Sequence, residues 1–157
     1  METIARAEFQ KTCEAVLAGD SVLLVMEAGM GIIEFAQSLY TELLGGKHCA
    51  IATYKGSIKN FLKTLAFELS IPTETEEGKA MTVDQLKDEL LAQCNEETLL
   101  ILPEAKRLTT SIRYWLEDMM AAGVTVVCFA PVNPQKDIFL QLLEIDTKSG
   151  SVTPYVE

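Results

Sequence analysis

Apolar residues alternate along the chain between helical spacing and short continuous runs. Positions three and four apart predict helices, with polar residues on the opposite face. Ser57 is placed to cap the third helix, Thr82 and Gln85 form a capping box before the fourth, and Thr109 or Thr110 can cap the fifth. The predicted helices cover residues 2–18, 32–44, 58–69, 83–94, 110–122 and 137–145.

Between these helices lie short apolar runs at 21–26, 49–54, 98–102 and 124–129. Such continuous runs are typical of strands that are buried on both faces. Strands separated by helices predict βαβ units and a parallel sheet. The sequence therefore predicts one three-layer α/β/α domain over residues 1–145, with a mostly parallel sheet of four or five strands. Residues 146–157 are expected to form a polar tail or an edge strand.

Composition narrows the function classes. The chain has 157 residues, 13 of them Lys or Arg and 23 Asp or Glu, which gives a formal net charge of −10. An acidic chain repels phosphate backbones, so direct DNA binding is not expected. No apolar run approaches the roughly 20 residues that a bilayer requires, so no membrane partner is expected either. The first residues also lack the pattern of a signal peptide.

Cysteine and histidine spacing gives no sign of a metal or redox centre. We expect reduced thiols in a cytoplasmic protein, most of them buried. The single histidine, His48, is expected at a strand edge, and Trp115 falls on the apolar side of its helix. The four cysteines are Cys13, Cys49, Cys94 and Cys128.

The loop after the first strand is the first place to look for a ligand, because ligands of such folds bind at the carboxyl ends of strands. It reads Glu-Ala-Gly-Met-Gly-Ile-Ile over residues 27–33. Gly29 and Gly31 fit a dinucleotide fingerprint, but Glu34 stands where its third glycine belongs. Of the P-loop pattern G-x-x-x-x-G-K-[ST], only Gly31 matches. A receiver-type signalling domain is disfavoured, because Pro103 stands where its aspartate would end the third strand.

Residues 99–108, Leu-Leu-Ile-Leu-Pro-Glu-Ala-Lys-Arg-Leu, resemble a Walker B strand that continues Asp-Glu-Ala-x-Arg-Leu. Over residues 2–145 the order of elements resembles the core of an AAA+-like P-loop ATPase, in the branch with an inserted strand. Residues 56–72 resemble a segment of bacterial ATPases that help transposases choose targets. The resemblance implies a P-loop NTPase-like fold, whereas the helical lid that follows this core in the family is expected to be missing.

The resemblance also implies a degenerate site. Ile32 and Ile33 stand in place of the lysine that binds phosphate and the Ser/Thr that holds Mg²⁺, and Pro103 replaces the Walker B aspartate. No metal site and no cofactor are therefore expected, except weakly bound ATP or ADP, and hydrolysis is expected to be negligible. The residues that correspond to the family's site are the phosphate loop Gly29, Met30, Gly31, Ile32 and Ile33, a vestigial catalytic Glu104 and a sensor candidate, Asn133.

Two basic groups stand out in this acidic chain. A helical stripe of lysines could contact DNA in the transposition-helper resemblance, although a solvated helix face is the simpler interpretation. The second group lies near the end of the third strand, where ring-forming relatives use basic residues towards a neighbouring subunit. The first group is Lys55, Lys59 and Lys63, and the second is Lys106, Arg107 and Arg113.

Three functions remain open from the sequence. The first is a catalytically inactive domain that binds a protein partner, such as an intact ATPase, or associates with itself. The second is an ATP-binding module with weak or no hydrolysis that assists a DNA transaction such as transposition. The third is a truncated or altered form of an active ATPase. Whether the chain is an enzyme is left open by the sequence, and the lost motif residues favour the answer that it is not.

Overall fold

The computed structural model describes residues 3–25, 31–104, 108–130, 142–146 and 151–154. Helices and strands alternate through most of this length, close to the predicted order. The helices are α1 (Thr3–Leu17), α2 (Ile32–Leu43), α3 (Ile58–Glu68), α4 (Val83–Gln93) and α5 (Thr110–Ala121). The strands are β1 (Ser21–Val25), β2 (His48–Ile51), β3 (Thr98–Leu102), β4 (Thr125–Ala130), β5 (Leu142–Asp146) and β6 (Ser151–Pro154).

All the described strands belong to one sheet, in the order β2-β3-β4-β1-β5-β6. Strands β1 to β5 all run parallel to one another, and β6 pairs antiparallel with β5. The predicted α/β fold with a mostly parallel sheet is confirmed. The sheet has six strands rather than four or five, because β5 and β6 extend it beyond β1.

The predicted helix at 137–145 is wrong where the structure describes it. Residues Leu142–Asp146 form β5, which pairs along the whole of β1 from Ser21↔Leu142 to Val25↔Asp146. A short apolar segment is ambiguous between helix and strand by periodicity alone. Here the backbone groups on the open side of β1 decide, because a buried strand needs a hydrogen-bonding neighbour there.

The sheet separates two apolar cores, one under each layer of helices. Alternate residues along β1 to β4 point to opposite faces, as Leu23 and Leu24 of β1 do. Helices α1 and α2 cover one face, and α3, α4 and α5 cover the other. This is the predicted three-layer arrangement.

Local hydrogen bonds fix where three of the helices begin. The Ser57 hydroxyl accepts from the backbone N–H of Asn60, and the Thr109 hydroxyl from that of Ile112. Thr82 and Gln85 make the complete reciprocal capping box. The predicted caps are confirmed, and Thr109 rather than Thr110 caps α5.

The residues predicted to be structural lie where expected. Trp115 is buried, and its Nε1 donates to the carbonyl oxygen of Lys87 at 3.3 Å. His48 is the exposed first residue of the edge strand β2. All the cysteines are free thiols, of which Cys13 is half-buried and the other three are buried.

Thr125→Val is expected to stabilise the fold by about 1 kcal/mol. Thr125 is 1% exposed, and its Oγ1 has no hydrogen-bond partner among the described residues. Removing a buried hydroxyl without a partner relieves its desolvation penalty. Urea unfolding measures the change, with Thr98→Val as the matched control. Thr98 Oγ1 accepts from the backbone N–H of Asn95 at 3.2 Å, so the control is expected to lose stability. Equal effects at the two sites would contradict this account.

Candidate functional site

The carboxyl ends of β1 to β4 lie at one edge of the sheet, because these strands are parallel. Open α/β sheets bind ligands at this edge. The described segments that leave it are Gly31 with the start of α2, residues 53–56 after β2, and Pro103 with Glu104 after β3. These segments form the candidate site. Gly29, Met30 and the sensor candidate Asn133 lie outside the described residues.

Gly31 begins α2 with a left-handed backbone, at φ 80° and ψ 42°. This conformation favours glycine, which carries no Cβ. The Gly31 carbonyl oxygen accepts from the N–H of Phe35 at 2.9 Å, and Gly31, as the N-cap residue, has no side chain with which to cap the first N–H groups of the helix. Uncapped N–H groups at a helix N-terminus attract anions. Of the predicted phosphate loop, Gly31 therefore keeps a backbone suited to it.

A carboxylate already lies at this helix end. A Cβ placed on Gly31 would come within 3.3 Å of Glu34 Oε2, so the Glu34 side chain folds back over the glycine. Its charge complements the helix dipole and repels any phosphate that approaches. Sequence reasoning used Glu34 only against the dinucleotide motif and missed this role. An acidic residue in the first turn of a helix was the available signal.

Ile32 and Ile33 point into different surroundings. Ile32 is half-buried and packs against the core between the sheet and helices α1 and α2. Ile33 is 53% exposed to solvent. Neither side chain offers a charge or an oxygen. The two positions where the resemblance expects a phosphate-binding lysine and a magnesium-binding hydroxyl are therefore purely apolar.

Glu104 and Gly31 belong to different connections at this edge, because Glu104 follows β3 and Gly31 lies between β1 and α2. Pro103 is buried directly after β3, and Glu104 is half-buried behind it. Strand β4 lies between β3 and β1, which separates their ends by about 10 Å at the usual strand spacing. Glu104 instead shares a cleft of about 460 Å³ with residues from the end of β2. The lining residues are Thr53, Tyr54, Lys55, Gly56 and Glu104.

The basic stripe is present and has an aromatic neighbour. Lys55 and Lys59 are exposed and Lys63 is half-buried. Lys55 lies with Glu104 in the cleft, a pairing that the sequence did not suggest. Phe67, four residues beyond Lys63 on α3, is 80% exposed, and sequence reasoning missed it.

Only one member of the second basic group can be placed. Lys106 and Arg107 lie outside the described residues. Arg113 is half-buried in the first turn of α5, and its Nε is buried with no hydrogen-bond partner in the described part of the chain. The predicted cluster is therefore represented here by Arg113 alone.

A membrane-spanning helix and a metal-binding cluster are both absent from the described residues. No helix among them is long and apolar enough to cross a membrane. Within the same residues, no three His, Cys, Asp or Glu side chains stand close enough together to hold a metal ion.

No protein-family model matches the chain, and no curated protein sequence matches it. Solved structures do. Cdc6p from Pyrobaculum aerophilum is similar with a TM-score of 0.58 and 14% identity, over 90% of this chain and 42% of that one. A chain of the Drosophila ORC structure bound to AT-rich DNA and Cdc6 is similar with a TM-score of 0.61 and 13% identity. The similarity covers 97% of this chain and 55% of that one.

A chain of Drosophila ORC bound to DNA gives a TM-score of 0.53 and 16% identity, over 86% of this chain and 80% of that one. The chain spans about half the length of the first two structures. At this identity the similarity shows the fold. That fold is a P-loop NTPase-like α/β/α arrangement, as predicted from the sequence.

The described residues do not fit a nucleoside triphosphate bound with Mg²⁺. The start of α2 supplies apolar side chains at Ile32 and Ile33, and the Glu34 carboxylate covers its glycine. Pro103 has neither a carboxylate nor an N–H to offer beside Glu104. Among the described residues at this edge, those at positions 32, 33 and 103 therefore offer no charged or hydroxyl side chain.

Proposed function

We propose that this P-loop NTPase-like domain does not hydrolyse ATP and acts as a protein-interaction or regulatory domain. An intact ATPase of related fold is a fitting partner. The observation that carries the proposal is the start of α2, where a left-handed glycine lies beside two isoleucines and a glutamate whose carboxylate lies over the glycine. The scaffold is kept, and the side chains that act on phosphate are replaced.

Magnitudes support this proposal. A hydrogen bond to a charged group contributes about 1.5–3 kcal/mol, so the missing lysine alone weakens nucleotide binding by about 10- to 100-fold. The metal that neutralises the phosphates has no hydroxyl at Ile33 and no carboxylate at Pro103. A carboxylate beside the reacting centre cannot make up for these losses, since phosphoryl transfer depends on positioning and charge stabilisation.

Titration calorimetry with ATP and ADP, with and without Mg²⁺, tests the proposal on the purified chain. We expect no heat of binding at nucleotide concentrations up to about 1 mM. This result would correspond to a binding free energy weaker than about −4 kcal/mol. Phosphate release is measured in parallel, with Glu104→Gln as the matched control, and the two rates are expected to be equal. Hydrolysis by the natural sequence above that control would contradict the proposal.

A paired variant locates the cause of the lost binding. Ile32→Lys combined with Ile33→Ser restores the two side chains that the resemblance expects. Micromolar ATP binding by this variant alone would show that these two positions abolished binding in an otherwise intact site. Absence of binding would show that Glu34, Pro103 or the rest of the loop also excludes nucleotide. Micromolar binding by the natural sequence would instead favour a nucleotide-sensing module.

A second candidate function is a DNA-associated helper without turnover. The observation that favours it is the exposed basic stripe on an otherwise acidic chain. Two of the similar structures are described as bound to DNA. The experiments on α3 below discriminate this candidate from a protein contact.

A further inference from the structure

Helix α3 presents an outward line of two lysines and an aromatic ring. Lys59, Lys63 and Phe67 recur every four residues and therefore share one side of the helix, which we call the α3 face. The opposite side is buried through Phe61, Leu62, Leu65 and Ala66. Phe67 is the most exposed large apolar side chain of the described residues. Aromatic side chains are enriched among the residues that contribute most to protein–protein binding, so an exposed ring beside complementary charges is a candidate anchor.

The segment that follows α3 is an acidic loop, defined here as residues 71–81. It is ordered by backbone bonds, with the N–H of Met81 donating to Thr73 O and the N–H of Thr75 to Lys79 O. Ile71 and Met81 anchor its two ends in the core. The glutamates between them are all exposed, namely Glu74, Glu76 and Glu77.

The α3 face and the acidic loop are neighbours on the molecule. The N–H of Ser70 donates to Phe67 O at 3.2 Å, and the N–H of Ile71 donates to Ala66 O at 2.8 Å. The loop therefore starts at the Phe67 end of the helix. Phe67 thus lies between the lysines of the α3 face and the glutamates of the acidic loop.

We propose that the α3 face and the acidic loop together bind a second copy of this chain in a two-fold symmetric dimer. In such an arrangement each surface meets its complement on the partner, since the same patch serves both copies. The lysines of one copy face the loop glutamates of the other, and the Phe67 rings lie near the axis. This inference rests on the interaction role proposed above and specifies one partner for it.

Charge and apolarity favour a second copy over nucleic acid at this surface. The chain carries −10 overall, and the described lysines of this region are few, namely Lys55, Lys59, Lys63 and, within the acidic loop, Lys79. So few phosphate contacts on an acidic chain give weak, salt-sensitive DNA binding. A duplex backbone also offers nothing apolar to Phe67. The same net charge opposes dimerisation only weakly, because physiological salt screens charges beyond about 8 Å.

Sedimentation velocity over a range of protein concentrations tests the dimer. The natural sequence is expected to shift from monomer to dimer as concentration rises. Phe67→Ala is expected to raise the dissociation constant at least about tenfold, as loss of a central aromatic anchor does. Tyr114→Ala is the matched control, because Tyr114 is 64% exposed on α5, away from this surface, and its loss is expected to change nothing.

Charge reversal tests the complementarity directly. Lys59→Glu with Lys63→Glu makes the chain more acidic, and Glu76→Lys with Glu77→Lys makes it less acidic. Both double variants are expected to be monomeric, so overall charge cannot explain both losses. An equimolar mixture of the two is expected to form a mixed dimer. All four positions are surface residues, and unchanged circular dichroism and thermal unfolding confirm that the variants fold.

Three results would overturn the proposal. The natural sequence could remain monomeric at every concentration, Phe67→Ala could dimerise as tightly as the natural sequence, or the mixed variants could fail to pair. Binding of labelled DNA at low salt that is lost with the lysine reversal, in a monomeric protein, would assign the face to nucleic acid instead. The nucleotide experiments test a different claim from the dimer experiments. Phosphate release above the Glu104→Gln control would refute the non-catalytic function but would not change the dimer result.

Discussion

Phe35→Ala is expected to lower the free energy of unfolding by about 3–5 kcal/mol, the range for deleting a buried aromatic side chain. Phe35 is 1% exposed in the first turn of α2. Its ring makes edge-to-face contacts with Phe9 of α1 and Phe129 of β4, at centroid distances of 5.6 and 5.7 Å. Removing it leaves a cavity at the junction of two helices and the sheet. The total free energy of unfolding of a folded domain is about 5–15 kcal/mol, so this loss is a large share of it.

Urea unfolding followed by circular dichroism measures this loss. Measured at a protein concentration low enough for the chain to be monomeric, Phe67→Ala is the matched control, because the same substitution at an 80% exposed ring is expected to change stability by less than about 0.5 kcal/mol. Phe35→Leu, which keeps most of the apolar volume, should fall between the two. A loss below about 1 kcal/mol for Phe35→Ala would show that α2 is not held to the sheet by this ring.

Stability is expected to fall steeply above pH 9. Burial raises the pKa of Cys49 from 9.0 to about 11, although Lys47 lowers it slightly. Burial also raises the pKa of Cys94 and Cys128. For Cys13, burial followed by Glu42 and Glu14 raises the pKa to about 11, but solvent screening reduces the share of this half-buried thiol.

The sign follows from proton linkage. A thiol with a raised pKa in the folded state stabilises fully below pH 9 and loses that contribution as pH rises towards about 11, because only the unfolded chain releases the proton. Between the unfolded and folded pKa values, a fully buried thiol lowers stability by at most about 1 kcal/mol per pH unit. Urea unfolding across this pH range measures the slope. Cys128→Ala is expected to flatten the slope by one thiol's share, and an unchanged slope would contradict the assignment.

Most of the fold could be predicted from the sequence because its signals are local. The apolar run at 98–102 has the same bounds as β3, and Thr82 with Gln85 forms the capping box that their spacing predicts. The helix prediction at 137–145 was wrong because Leu142–Asp146 takes its structure from pairing with β1, which lies far away in the chain. Local periodicity carries no information about that neighbour.

The candidate site was predictable in its residue types and less so in its geometry. The replacement of motif residues by Ile32, Ile33 and Pro103 could be read directly once the resemblance was recognised. The position of Glu34 over Gly31 could not, because a rotamer depends on the folded backbone. The grouping of Lys55 with Glu104 in one cleft likewise depends on β2 lying beside β3.

The position of β1 at the middle of the sheet also sets the order in which the chain can fold during synthesis. Its neighbours are β4 and β5, and the Ser21 hydroxyl accepts from the N–H of Val126, a residue 105 positions later. Translation at about 5–20 residues per second therefore leaves β1 unpaired for about 5–20 s after it is made. During that time the apolar strand is exposed to chaperones on the ribosome, and the sheet cannot close around β1 until β4 and β5, which end at Ala130 and Asp146, have been made.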